Sequence, residues 1–399
     1  MKCTVLGAGA WGTTFGQVMA DAGNDVTMWA IEPEIVEGIR DRHHNAVRLP
    51  SVAKLPDNMT ATGDRAQAVK DADIIVVAIA AQFARVALAE FKDLIPDTAV
   101  VVSLMKGIER NTKKRMDEVV REALDLPAER FAAVSGPNLS KEIADRQPAA
   151  TVVACENLDN ARKVASACTT SYFKAFITSD VIGLEMCGSL KNVVALAVGM
   201  ARGAGYGENT AAMIETRGLA ELTALGKAAG ADPKTFAGLA GVGDLTATCG
   251  SPLSRNYTFG ANLGKGLSVE EATKVSNGVA EGVPTTDAVV ALGDELDVPT
   301  PLAYAMSRVL NEGISCQQML SELLGTEITR GVGCIETPPQ SRCARQPPPA
   351  EALAYAPQRD GVVRAIGKAN LTGAHPAEFG GFCKRRIVTG RCAIARIRL

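Results

Sequence analysis

Residues 2–12 read KCTVLGAGAWG, and the fold turns on how that stretch is interpreted. KCTVL (2–6) is a short apolar run of strand type. Gly7, Gly9 and Gly12, with Ala10 and Trp11 among them, open a helix expected to reach about residue 22, and DVTMW (25–29) makes a second strand. A G-x-G-x-x-G between the first strand and helix of a βαβ unit suits a dinucleotide for physical reasons. The first glycine makes the tight turn, the second lets the backbone approach a pyrophosphate, and the third lets helix pack close on strand. The helix amino terminus then faces the phosphates with unpaired N–H groups and the positive end of its dipole. A turn that holds no ligand is the alternative, and the position of the motif directly after the first strand weighs against it.

Further along, ADIIVVAIA (72–80), TAVVVSL (98–104), FAAVSG (131–136) and TVVAC (151–155) are continuous apolar runs. Such runs suit strands of a parallel sheet covered on both faces. The expected class is α/β, with a Rossmann-type doubly wound sheet over residues 1–188. After the second strand comes WAIEPE, and Glu32 lies 20 residues beyond Gly12. A carboxylate there accepts a hydrogen bond from a free ribose 2′-hydroxyl and repels a 2′-phosphate, which favours NAD. Arg40, Arg42 and Arg48 in RDRHHNAVRLP can reach a phosphate instead, and Glu32 is equally explained as an acid at a helix start. The choice between NADP and NAD stays open.

Two strand ends face the crevice where doubly wound folds bind ligands. MKGIE follows 98–104 and puts Lys106 in a loop loosened by Gly107. SGPNLSKEI follows 131–136, where Gly136 and Pro137 shape a turn and Asn138 and Ser140 are expected to cap the next helix. From about residue 180 the pattern turns helical, so an all-α domain is expected over 189–325. Asp232-Pro233 starts one of its helices, and Ser268 with Glu271 forms a capping box for another. Within CGSLKNVVALAVGM, Lys191 and Asn192 interrupt a run of small and apolar residues. A lysine expected at the end of a buried helix needs a partner, since an ammonium is costly to desolvate alone. Snorkelling to the surface is the bland alternative. GVGDLTATCGSPLSRNYTFG then gathers Asp244, Thr248, Ser254, Arg255 and Asn256 within thirteen residues. Arg255 offers a planar fork suited to phosphate or carboxylate, although a merely solvated polar loop has the same composition.

These parts point to hydride transfer to a carbonyl whose far end carries an anion. Lys191 would be general acid for reduction and base for oxidation, its pKa lowered by desolvation and by Lys106, with Asp244 orienting it and Arg255 holding the anion.

Over residues 2–325 the chain resembles the bacterial glycerol-3-phosphate dehydrogenases. The carriers are GAGAWGT, MKGIE, SGPNLSKE, GSLKNVVALAVG, GVGDLTATC and SRN, in the family's order and spacing. The resemblance implies reduction of dihydroxyacetone phosphate to sn-glycerol 3-phosphate for phospholipid synthesis. It implies Lys191 as proton donor or acceptor, and Lys106, Gly136, Asp244, Ser254, Arg255 and Asn256 as substrate contacts. By the same resemblance Trp11, Lys106, Ser140, Arg255, Val279 and Glu281 line the cofactor. Members that use NADP commonly carry arginine where this chain has Ile31; Asn138 stands where serine or threonine is frequent, and Ser140 where alanine is usual. Other readings are a hydroxyacid or 6-phosphogluconate-type dehydrogenase, or a non-catalytic regulator that senses the cofactor.

Size and composition set the outer bounds. The chain has 399 residues, 47% of them hydrophobic, and a net charge of −2, so neither nucleic acid nor an anionic membrane surface is indicated. The amino terminus lacks a secretory leader and no integral membrane segment is expected, so the reading is cytoplasmic. Cys3, Cys155, Cys168, Cys187, Cys249 and Cys316 are read as reduced packing residues. The apolar helical part makes a homodimer the expected assembly. Residues 326–399 differ in character, with 12 basic and 5 acidic residues against 30 and 39 in residues 1–325. This tail, with seven prolines and four cysteines, is expected to have no fold of its own and to be foreign to the enzyme. Its Cys334/Cys343 and Cys383/Cys392 spacings, even with His375 between, do not match zinc modules, and no metal is expected.

Overall fold

β1 (Lys2–Leu6), β2 (Asp25–Trp29), β3 (Met59–Thr62), β4 (Ile74–Val77), β5 (Val100–Ser103), β6 (Phe131–Ser135), β7 (Ala149–Ala154) and β8 (Phe173–Thr178) form one sheet in the order β3-β2-β1-β4-β5-β6-β7-β8. This computed structural model describes residues 1–276 and 280–325. The central strands β4 and β5 are buried throughout, as their continuous valine and isoleucine runs require. β3 and β8 are missing from the expected strands. Both lie at the sheet edges: β3 alternates buried and less buried side chains, and in β8 only Phe173 and Ala175 are buried, so neither carries the long apolar run of a strand covered on both faces. The parallel pairing that these runs suit has one exception, since β6 and β7 pair antiparallel while β7 and β8 are parallel to each other. The segment between Ser135 and Ala149, which contains the five-residue helix Ser140–Ala144, returns the chain beside β6 in the opposite direction.

Helices α1 (Ala10–Asp21), α2 (Pro33–Arg42), α3 (Arg65–Val69), α4 (Ala84–Ala89), α5 (Met116–Leu124), α6 (Ser140–Ala144) and α7 (Leu158–Cys168) connect the strands. The chain then becomes wholly helical: α8 (Val181–Gly203), α9 (Glu208–Ala228), α10 (Pro233–Phe236), α11 (Asp244–Gly250), α12 (Arg255–Gly264), α13 (Val269–Val275), α14 (Gly282–Leu296), α15 (Pro301–Glu312) and α16 (Cys316–Leu324). Asp232 caps α10, and Ser268 with Glu271 forms the expected capping box on α13. α8 runs unbroken through the expected boundary at 188/189, and the described residues belong to one compact unit. Two apolar cores flank the sheet. One joins Leu6, Ile75 and Val77 to Leu184, Leu190 and Val193 of α8; the other packs Val5, Val76 and Val102 on Phe15 of α1 and Val164 of α7.

α8 is the one helix among the described residues long and apolar enough to cross a membrane, and 94% of its apolar window is buried inside the protein. It meets α12 through facing glycines. A Cβ on Gly260 would lie 2.0 Å from the Leu196 carbonyl oxygen, and one on Gly199 would lie 2.1 Å from that of Tyr257. Gly203 and Gly264 repeat the contact one turn on, so the two backbones touch directly. The six cysteines expected to be packing residues are free thiols and buried.

Candidate active site

The turn after β1 is shaped by steric exclusion. Gly7 has φ +109°, and a Cβ there would sit 2.7 Å from the Ala78 carbonyl oxygen. A Cβ on Gly12 would lie 2.2 Å from the Gly7 oxygen, so helix α1 closes on the turn only without one. Gly9, by contrast, faces open space, with no heavy atom within 4 Å of where its Cβ would be. The cradle is thus shut at the first and third glycines and open at the second, the opening that the approach of a pyrophosphate would need. Trp11 Nε1 is buried without a hydrogen-bond partner among the described residues. These features fit an NAD(P) dinucleotide, which the Gly7–Gly12 turn and the first turn of α1 would hold. At the end of β2, Glu32 and Arg48 face each other at 3.1 Å.

Lys191 lies in the middle of α8, not at a helix end, and is 5% exposed. Its ammonium donates to Asp244 Oδ1 and, at 2.6 Å, to Thr248 Oγ1. The Thr248 hydroxyl donates in turn to the Asp244 carbonyl oxygen at 2.6 Å, which leaves a lone pair for the lysine. From the loop after β5, Lys106 Nζ donates to Asp244 Oδ2 at 2.7 Å and to the Gly136 carbonyl oxygen at 3.1 Å. Asp244 is therefore bridged by two ammonium groups, one on each oxygen. Burial pulls the Lys191 ammonium down to about 8; the Asp244 carboxylate pushes it back up, and the charge of Lys106 adds to the depression. For Asp244 burial alone would raise the carboxyl, but Lys106 and Lys191 overcome it and hold it below the ordinary carboxylate range.

Backbone irregularities put these groups together. A π-helical turn, Leu239–Gly243, directly precedes Asp244, and a Cβ on Gly241 would lie 1.9 Å from the Phe236 carbonyl oxygen. Gly188, one turn before Lys191, leaves room for the Lys106 stem, whose Cγ would be 3.4 Å from an added Cβ. Gln82 secures the Lys106 loop from the other side: its Nε2 donates to the Ile108 oxygen at 2.9 Å and its Oε1 accepts from Arg110 N at 3.0 Å.

The amino terminus of α12 supplies the remaining polar groups. Ser254 caps it by accepting from Tyr257 N at 3.2 Å, and Arg255 follows, exposed. Asn256 is buried and bridges helices, donating to Asn192 Oδ1 at 2.9 Å and accepting from Gly282 N at 2.8 Å. Glu281 reaches the same region. Its Oε2 is buried without a partner among the described residues and would lie 3.7 Å from a Cβ on Gly107. Burial raises its pKa, opposed by Arg255 and by the amide of Ala81.

Lys106, Gly136, Lys191, Asp244 and Thr248 thus form one cluster, with Ser254, Arg255 and Asn256 joined to it through Asn192. Asn138 and Ser140 do not cap α6. The N-cap is Leu139; Asn138 is tied to β7 through Ala150 and Thr151, and the Ser140 carbonyl oxygen accepts from Thr14 of α1 at 3.3 Å. Asn138 lies one residue before the N-cap and Ser140 one residue after it, as the first residue of the helix. Val279 lies outside the described residues. Sequence reading missed Gln82 and Asn45, single amides in segments without a motif. Asn45 donates to the Ala8 oxygen at 3.0 Å and to Thr13 Oγ1 at 2.9 Å.

Two family models match the chain: NAD-dependent glycerol-3-phosphate dehydrogenase N-terminus over residues 2–161 and the corresponding C-terminus over 180–321. A glycerol-3-phosphate dehydrogenase [NAD(P)+] of Bifidobacterium longum subsp. infantis is 87% identical over 326 residues, 82% of this chain and 98% of that protein. A protein of the same name from Corynebacterium kroppenstedtii is 50% identical over 80% of this chain and 96% of its own length. The crystal structure of glycerol-3-phosphate dehydrogenase from Coxiella burnetii superposes with a TM-score of 0.77 at 31% identity, covering 82% of this chain and 99% of that one.

Proposed function

The chain belongs to the NAD-dependent glycerol-3-phosphate dehydrogenase family and is an NAD(P)-linked oxidoreductase, and from that premise we propose that it reduces dihydroxyacetone phosphate to sn-glycerol 3-phosphate with Lys191 as the proton donor. The bound nicotinamide supplies the hydride or, in reverse, accepts it. The observation that carries the reading is the buried Lys191 ammonium, held by Asp244 and Thr248 beside Lys106.

As the ketone carbon gains hydride, its oxygen gains negative charge and needs a proton. Lys191 gives that proton from Nζ; in the oxidative direction the neutral amine takes it back from the hydroxyl. A depressed pKa suits both duties near neutrality, because proton transfer is most effective when donor and medium are matched. Asp244 fixes the amine on one side while Thr248 fixes it on the other, leaving the third N–H direction for substrate. Lys106 adds positive charge where the alkoxide forms. Arg255, with a fork of donors, holds the phosphate at the other end of the substrate, and Ser254 and Asn256 flank it. Binding the phosphate away from the reacting carbon orients the ketone toward the amine. A three-carbon phosphate ester made this way is a precursor for glycerophospholipids, the role we assign to the enzyme.

The test is Lys191→Ala assayed by the reduced-nicotinamide absorbance. Turnover should fall by about 10²–10⁴, the usual contribution of a general acid, while NADH still binds. Turnover equal to that of the unaltered chain would remove Lys191 from the reaction.

A further inference from the structure

The relation of Glu32 to Arg48 carries a conclusion about cofactor choice that neither residue carries alone. Glu32 lies three residues past the end of β2 and is the N-cap of α2, yet its carboxylate makes no capping hydrogen bond. Its Oε1 instead accepts from Arg48 Nη2 at 3.1 Å, and both side chains remain partly exposed. The end of β2 is joined to the dinucleotide turn itself, since Gly7 N donates to the Trp29 carbonyl oxygen at 3.0 Å. Arg48 is joined to the same turn by a separate route. Asn45, 1% exposed, donates to Ala8 O and Thr13 Oγ1, and its Oδ1 accepts from Arg48 N at 3.0 Å. An acid and a guanidinium, each tethered to the glycine turn, therefore hold one another where the second strand of such a fold meets the adenosine ribose. Ile31, next to Glu32 and 73% exposed, adds no charge there.

We propose that Glu32 and Arg48 form a competitive pair that sets the NADPH-to-NADH preference of this chain, with Glu32 restraining Arg48 from a 2′-phosphate. The proposal rests on the NAD(P)-linked reading above. A free 2′-hydroxyl donates to the Glu32 oxygen that Arg48 leaves unused, and the ion pair stays closed. A 2′-phosphate instead draws Arg48 into a charge-assisted contact and leaves Glu32 as a like charge beside it. Arg48 permits the phosphate, Glu32 opposes it, and the balance is the selectivity.

The experiment measures dissociation constants of NADPH and NADH by fluorescence titration of the full chain, with thermal shifts by 2′,5′-ADP and ADP as a readout independent of turnover. Glu32→Gln should raise the NADPH-to-NADH affinity ratio about tenfold and Arg48→Gln should lower it about tenfold, the scale of one charge-assisted hydrogen bond. Added salt should erode the ratio in Glu32→Gln far more than in Arg48→Gln, because an exposed phosphate contact is screened. Ratios that stay put in both variants, with both cofactors still bound and turned over, would overturn the pair's role and leave the dehydrogenase intact. Opposite shifts of the ratio in a chain that fails to reduce dihydroxyacetone phosphate would uphold the pair's role and overturn the substrate reading.

Discussion

Lys191 and Asp244 show how far one residue depends on another. An ammonium buried to this degree would discard its proton if left alone, and a carboxylate as buried would hold one; together with Lys106 they remain charged. The pH dependence of the reaction follows from the Lys191 value of about 8. Reduction needs the ammonium, so its rate should hold at lower pH and fall as pH rises through about 8; oxidation needs the free amine and should rise over the same range. Asp244→Asn removes the main influence that pushes the ammonium up, the contribution of Cys249 being smaller, and leaves burial and Lys106, which push it down. Both midpoints should therefore move to lower pH in that variant. Paired pH–rate profiles of the two directions check this, and a midpoint that moves upward would mean Asp244 does not stabilise the charged lysine.

Among the elements, the crossing of α8 with α12 decides whether the site assembles. α8 brings Lys191 and Asn192, and α12 brings Ser254, Arg255 and Asn256. The crossing is close because Gly199, Gly203, Gly260 and Gly264 have no side chains. The atoms that an added Cβ would strike are backbone, so no change of rotamer relieves the clash and the helices must part. Gly260→Ala should cost about 1–3 kcal/mol, the range for overpacking a tight core, and lower the melting temperature by a few degrees. It should also reduce kcat/KM by separating Arg255 from Lys191. Calorimetry with steady-state kinetics tests both; a variant as stable and as active as the parent would show that the crossing is looser than its contacts.

For the molecule as a whole, the curated relatives account for about the first four fifths of the chain. The Bifidobacterium longum subsp. infantis protein aligns over 326 residues that make up 98% of its own length, while residues beyond that stretch have no counterpart in the alignment. The tail also carries the opposite charge balance, 12 basic to 5 acidic residues. Cutting the chain after residue 330 should leave kcat/KM and melting temperature as they are. A large loss of either, measured side by side with the full chain, would assign the tail a part in fold or function. The described structure ends at residue 325, so the expectation for 326–399, including the excluded zinc pattern, lies outside the described residues.

The sequence alone determined the dinucleotide turn, the central strands and the switch from strand to helix near residue 180. Each is a local matter: glycine spacing fixes which backbone approaches are open, and unbroken apolar runs mark strands buried on both faces. It also singled out Lys191, because a lone charge in an apolar run conflicts with the cost of burying it, and Asp244, because it opens a stretch where a carboxylate, hydroxyls, a guanidinium and an amide gather within thirteen residues. Only the tertiary structure decided that Lys106 and Lys191 share one carboxylate across 138 and 53 residues of sequence, or that Glu32 takes Arg48 in preference to its own helix terminus. The edge strands β3 and β8, the reversal at β7 and the clamp by Gln82 belong to the same group. Their physical reason is common to all of them: a hydrogen bond or ion pair between distant segments depends on how the intervening chain is folded back, and residue spacing holds no record of that path.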